Sequence, residues 1–446
     1  MEDEAVTFTK RRIPFGMVGE LELRQSLAQR LRHAREWTNA LFRLLTPEGL
    51  LERPIAERHR LLFYVGHLEA FDWNLICRDV LGQRSSNPTF EQLFAFGIDP
   101  IDGQLPTDQP ADWPRLEAVQ AWNREVRSAV DRAIATAPLA GWLEGGWALH
   151  LALEHRLMHA ETLAYLLQRL DVRFKVSGPL PEVAARPADS SMVHLAAGTT
   201  SLGLARKTTP HLGWDNEYEF HQVDVAAFEL ARLPVSNAEW LEFIVAGGYR
   251  ERSLWSAEAW AWKEREGITH PAFWTHRDGR WWWRAMFGEV PLPESWPVYV
   301  SHAEARAYAQ WKGARLPTEP EWHRAIEGLR PQSWLAGVHG NFGGKRFDPV
   351  SSGTHPAGET RLGIADLIGN GWEWTSTPFA PFSGFEPLPF YRGYSANFFD
   401  GQHFVLKGAS AMTDVSFLRP SFRNWFQPHY QHMFAKFRLA RSSRHA

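Results

Sequence analysis

The chain has 446 residues, 44% hydrophobic and 22% charged, which suits a globular protein with two or three cores. A net charge of −3, a pI near 6.7 and the absence of basic runs exclude nucleic acid and acidic membrane surfaces as electrostatic partners. One cysteine rules out an intramolecular disulfide, Met1-Glu2-Asp3-Glu4 is unlike a secretory signal, and no apolar run reaches the ~18 to 20 residues that span a bilayer, so a cytoplasmic protein is expected.

Four stretches, 21–45, 56–80, 116–137 and 145–170, carry apolar residues at spacings of three and four. Together they predict an antiparallel four-helix bundle over 18–175. The second holds His67 among apolar residues in Phe63-Tyr64-Val65-Gly66-His67-Leu68-Glu69-Ala70-Phe71-Asp72. Cys77 follows in an apolar setting that suits an inert buried thiol. The proline-rich connection 82–114 is longer than loops usually are and is expected to be ordered against another surface.

The fourth stretch contains Glu154-His155-Arg156-Leu157-Met158-His159-Ala160-Glu161 and is free of Gly and Pro over 148–170. Residues four apart share a helix face, about 5 to 6 Å between Cβ atoms, so His155 and His159 can reach one metal ion. His67 on a facing helix is the third candidate ligand. Glu69, Asp72, Glu154 and Glu161 are candidates for orienting the ligand N–H groups. Three imidazoles on one face of an ion leave positions for O2 and substrate at iron, but zinc accepts the same ligands with a water.

Residues 176–191, with Pro179, Pro181 and Pro187 among small residues, predict a linker. Beyond it, over 192–446, apolar runs are short and Trp is frequent; only 237–246, after Ser236, and 302–312, after Ser301, have clear helical and capping signals. This predicts a loop-rich α+β domain held by interlocking aromatics.

Several stretches of that half carry a family pattern: Leu233-Pro234-Val235-Ser236-Asn237-Ala238-Glu239-Trp240, Arg315-Leu316-Pro317-Thr318-Glu319-Pro320-Glu321-Trp322, Gly369-Asn370-Gly371-Trp372-Glu373-Trp374-Thr375 and Arg419-Pro420-Ser421-Phe422-Arg423-Asn424-Trp425. They resemble the formylglycine-generating-enzyme (sulfatase-modifying factor) fold, a C-type-lectin-like α+β domain, over 195–441. The cysteines of that enzyme's chemistry are missing here. Such a domain behind a DinB-like helical bundle with three histidines resembles the ergothioneine-biosynthesis sulfoxide synthases (EgtB-like).

The resemblance implies an enzyme in which His67, His155 and His159 bind Fe(II), and O2 serves as co-substrate in joining a thiol sulfur to C2 of the imidazole of hercynine. It implies that Asn424 and Trp425 bind substrate and that Tyr391 or Tyr394, in Phe390-Tyr391-Arg392-Gly393-Tyr394-Ser395, gives a proton or electron; Trp372 and Trp374 read as core. The family's mycobacterial-type members carry Asp and Arg where this chain has Phe426 and Tyr430, and Gln where it has Met158. These positions, with Gln427, Pro428 and His429, therefore line a donor pocket unsuited to γ-glutamylcysteine. The change suits cysteine or, as in the selenoneine synthase (SenA) branch, a selenosugar. A three-histidine zinc hydrolase and a non-catalytic lectin-like binding module are the readings from other classes.

Overall fold

The protein is described here from a computed structural model covering residues 19–95, 105–184, 189–206 and 213–443. Helix α1 (Glu20–Phe42) buries Leu23, Leu27, Leu31, Ala34, Thr38 and Leu41, a stripe at spacings of three and four. Helix α2 (Leu61–Asp72) is buried on nearly every face and runs on through a wider, π-helical turn (Trp73–Val80). The helix expected over 56–80 thus starts five residues late, where Arg60 is still extended and its guanidinium is drawn to Leu51 O and Asp108.

The connection 82–114 is not all loop. It contains helix α3 (Pro88–Leu93), capped by Asn87, whose side chain accepts from Phe90 N at 3.1 Å. Part of that connection lies outside the described residues. Helix α4 (Leu116–Thr136) follows, then α5 (Trp147–Arg169), whose start is set by Gly145 and Gly146, at φ of 63° and 75°. Helix α1 packs on α5 and α4, and α2 packs on α4 and α5, which closes the four-helix bundle.

After α5 the chain is strapped rather than loose. Val176 N donates to Leu44 O at 2.8 Å, Gly178 lies where a Cβ would meet the Phe287 ring at 2.5 Å, and Ala184 O accepts from Ser351 at 2.7 Å. Part of the predicted linker, 185–188, lies outside the described residues.

The second half is α+β. Strands β1 (Met192–Leu195), β2 (Gly198–Leu202), β3 (His221–Val225) and β4 (Phe228–Ala231) lead to helices α6 (Asn237–Val245) and α7 (Ala257–Glu266). A meander of β5 (Trp274–Arg277), β6 (Arg280–Ala285) and β7 (Gly288–Pro291) precedes α8 (His302–Trp311) and α9 (Glu319–Ala325). The last strands are β8 (Gly371–Pro378), β9 (Phe404–Ala409), β10 (Asn424–Phe426), β11 (Ala435–Lys436) and β12 (Ala440–Ser442). The largest sheet has the order β10-β9-β8-β11, and β1-β4-β12 forms a second.

Two of these helices escaped the sequence reading. Helix α9 is short and mostly polar, yet Thr318 and Glu321 form a reciprocal cap at its start. Helix α7 begins at Ser256 and stops at Gly267, which is left-handed. Aromatic stacking replaces regular layers in the core: Trp240 lies on Tyr308 and Phe273 on Trp283, with ring planes 14° and 16° apart. The fully buried Arg438 satisfies the carbonyls of Ala231, Arg232 and Ala365 while paired with Glu373 at 2.7 Å.

Helix α5 is buried on nearly every side because it is covered twice. One face completes the bundle. The row Glu154, Met158, Glu161, Tyr165, Gln168, spaced four and three, meets the second half: Glu154 receives Trp214 Nε1 and Arg419, Glu161 receives Trp372 Nε1, Ser410 and Thr413, and Gln168 donates to Asp348. One continuous hydrophobic core crosses this contact. No helix of the described residues is long and apolar enough to cross a membrane.

Candidate metal centre

On α5 the residues beside that interface row, His155 and His159, turn into the bundle toward His67 on α2. All three are buried, and their ligand atoms lie within 4.8 Å of one another. His159 Nε2 is 3.1 Å from His67 Nε2 and 3.2 Å from His155 Nε2. Among the described residues this is the one group of three or more metal-ligating side chains that converge so closely.

The hydrogen-bonding pattern suits a cation. His67 Nδ1 faces the Phe94 carbonyl at 2.7 Å, which assigns the ring proton to Nδ1 and leaves Nε2 a lone pair. A proton on His159 Nε2 could satisfy only one of its two neighbours, whereas one metal ion satisfies all three nitrogens. Burial holds His67 down to about 4 and the other two well below their ordinary range, so all three are neutral and able to ligate. Metal–nitrogen bonds of about 2.1 Å put neighbouring donors about 3.0 Å apart at right angles and about 3.4 Å apart at tetrahedral angles. The observed spacings fall between, so the donor set fits iron and zinc alike.

The carboxylates expected to orient the ligand rings do other work. Glu69 and Asp72 hold the Arg156 guanidinium at 2.8 and 2.7 Å, and Glu154 and Glu161 join α5 to the second half, where burial raises both their pKa values. Among the described residues, the hydrogen bond that orients a ligand ring runs from His67 to the Phe94 backbone carbonyl. His155 is instead fixed by packing, its ring 3.5 Å from that of Phe71 and 9° from parallel.

Aromatic rings lead away from the ligands in two directions. From His155, the Tyr391 ring is at 6.4 Å, Tyr394 at 5.5 Å from Tyr391, and Trp425 at 5.2 Å from Tyr394. Tyr394 is stacked on Trp214, and its hydroxyl contacts Met158 Sδ at 3.4 Å. Asn424, next to Trp425 on β10, accepts from Trp425 N at 2.9 Å. In the other direction the buried Arg58, close enough to depress His159 by its charge, donates to Tyr430 Oη at 3.1 Å, and Tyr430 stacks on Phe426. Trp372 and Trp374 are core, and burial pushes the Cys77 thiol up to about 12.

Residues 178–443 match the sulfatase-modifying factor enzyme 1-like domain. A match over most of the chain decides the family. A hercynine oxygenase of Mycobacterium tuberculosis is 38% identical over 332 residues, covering 71% of this chain and 75% of that protein. The chain belongs to the hercynine oxygenase family.

As a family member it is an oxidoreductase. Ergothioneine biosynthesis protein 1 of Schizosaccharomyces pombe is 28% identical across 94% of this chain and 56% of its own length. Formylglycine-generating enzyme of Mycobacterium tuberculosis is 30% identical over 44% of this chain, a span shorter than the helical and C-terminal halves together.

Sequence reasoning missed Arg58, Arg156, Trp214 and Arg419. Arg156 could have been found, because an arginine inside an apolar helix requires buried acidic partners. Arg58 and Trp214 sit in irregular chain and carried no signal.

Proposed function

We propose that this family member holds one Fe(II) through His67, His155 and His159 and uses O2 to join a sulfur donor to C2 of the hercynine imidazole. The observation that carries this reading is the set of three neutral, buried imidazoles converging at 3.1 and 3.2 Å beside the interface between the halves. When bound, the ion supplies a centre at which O2 and substrate meet.

The chain's own residues then have distinct tasks. The faces of Tyr391, Tyr394 and Trp425 suit a trimethylammonium group, and Asn424 beside them suits the substrate carboxylate through its amide. Tyr391 is the proton donor, since its ring is the nearer of the pair to His155. Burial holds the Tyr394 phenol well above its ordinary range, so it stays neutral against the substrate cation. Phe426 and Tyr430, stacked on one another, offer the donor apolar faces. That edge suits a small thiol such as cysteine better than γ-glutamylcysteine, with its second carboxylate.

Mass analysis of products from iron-loaded protein, hercynine and each of cysteine, γ-glutamylcysteine and a selenosugar tests the assignment. The expected product carries cysteine sulfur on the imidazole. A selenium product would move the chain to the selenoneine branch, and γ-glutamylcysteine as the preferred donor would overturn the reading of Phe426 and Tyr430.

A further inference from the structure

Arg156 lies between the two ligand histidines of α5, is fully buried and, like them, faces α2. Its Nη2 donates to Leu68 O at 3.1 Å, Glu69 Oε2 at 2.8 Å and Asp72 Oδ2 at 2.7 Å, and its Nη1 to Glu69 Oε1 at 3.2 Å. All of these acceptors belong to α2, and Leu68 and Glu69 directly follow His67. Arg127 of α4 pins Glu69 from outside at 2.6 Å. One guanidinium therefore fastens the helix of His67 to the helix of His155 and His159 within one residue of two of the three imidazoles.

We propose that Arg156 is a positioning residue that sets the spacing of the three imidazoles before any metal arrives. The inference rests on the metal reading above. A planar fork of donors suits the task, because several hydrogen bonds from one rigid group fix both distance and rotation between two helices. Hydrophobic packing alone would allow α2 to slide or turn on α5 by fractions of an ångström. That freedom falls directly on donor atoms 3.1 and 3.2 Å apart. An ion network in a fully buried place costs desolvation that an apolar core would avoid, so stability alone is a poor reason for it.

The test separates holding the fold from holding the ligands. Arg156→Met alone leaves Glu69 and Asp72 buried with one partner removed and is expected to unfold readily. The triple variant Arg156→Met, Glu69→Gln, Asp72→Asn removes the charges together at similar volume and is expected to fold with wild-type helix content. Its affinity for Fe(II) and Co(II), measured by chelator competition without substrate, is expected to fall about 10- to 100-fold, with an altered Co(II) absorption spectrum. Arg156→Lys, which keeps charge but not the fork, gives the same reading if the triple variant does not fold, and an intermediate loss is expected. Wild-type affinity and spectrum in a folded triple variant, or in Arg156→Lys, would overturn the proposal. Failure of the wild-type protein itself to bind either metal would instead overturn the metal reading.

Discussion

Gly66→Ala should damage the metal centre without touching a ligand. A Cβ added at Gly66 would lie 2.5 Å from two atoms of the Phe94 ring and 2.6 Å from a third. That ring cannot withdraw, being fully buried, stacked near Trp122 at 6.0 Å and bordered by Phe63 and Phe90. Relief must come from the backbone at 94, whose carbonyl accepts the His67 proton at 2.7 Å. Overpacking of this kind costs about 1 to 3 kcal/mol. Loss of the buried His67 hydrogen bond adds about 1 to 3 kcal/mol. Because the bond also fixes which His67 nitrogen carries the proton, metal affinity should fall about 10- to 100-fold. Chelator competition and thermal unfolding of the metal-free protein measure the two effects separately. Phe94→Leu in the same chain should restore much of both by making room. Wild-type metal affinity in Gly66→Ala, or no recovery in the double variant, would refute the reasoning.

His155→Ala should abolish metal retention, whereas His302→Ala should lower the melting temperature and leave metal content intact, because buried His302 faces Thr375 O at 3.1 Å and stacks on Phe404; elemental analysis distinguishes them. Tyr391→Phe should lower turnover by about 10²-fold or more at unchanged iron content, and Tyr394→Phe should have the smaller effect, as read from single-turnover rates. Burial raises Asp348 from 3.8 to about 6, so the unfolded chain ionises first as pH rises. Stability from this group is complete below pH 3.8 and is lost as pH climbs to about 6, a change of about 3 kcal/mol. Asp348→Asn should flatten that part of the denaturation profile, and an unchanged profile would assign it elsewhere.

Much of the site could be read from spacing. His155 and His159 share a face because helical geometry demands it, and the apolar setting of His67 marked it as inward-facing. The four bundle helices followed from periodicity, with ends displaced where Arg60 is drawn to Asp108 and where Gly145 and Gly146 turn left-handed. What escaped depends on tertiary contacts. Glu69, Asp72, Glu154 and Glu161 all lie near the ligands in sequence, but the first two pair with Arg156 and the last two with the second half, and no local rule says which. The His67 acceptor is a backbone carbonyl 27 residues away, which carries no side-chain signature. Helices α7 and α9 were hidden by their polar content, although their caps at Ser256 and Thr318 were written in the chain.

Oxygen uptake by anaerobically purified protein loaded with Fe(II) is the most direct measurement of the proposed activity. With one iron per chain, consumption should require both hercynine and a donor, stop in His159→Ala and stop when zinc replaces iron. Stoichiometric iron binding with no hercynine-dependent uptake for any of the three donors, or equal uptake with zinc, would contradict it.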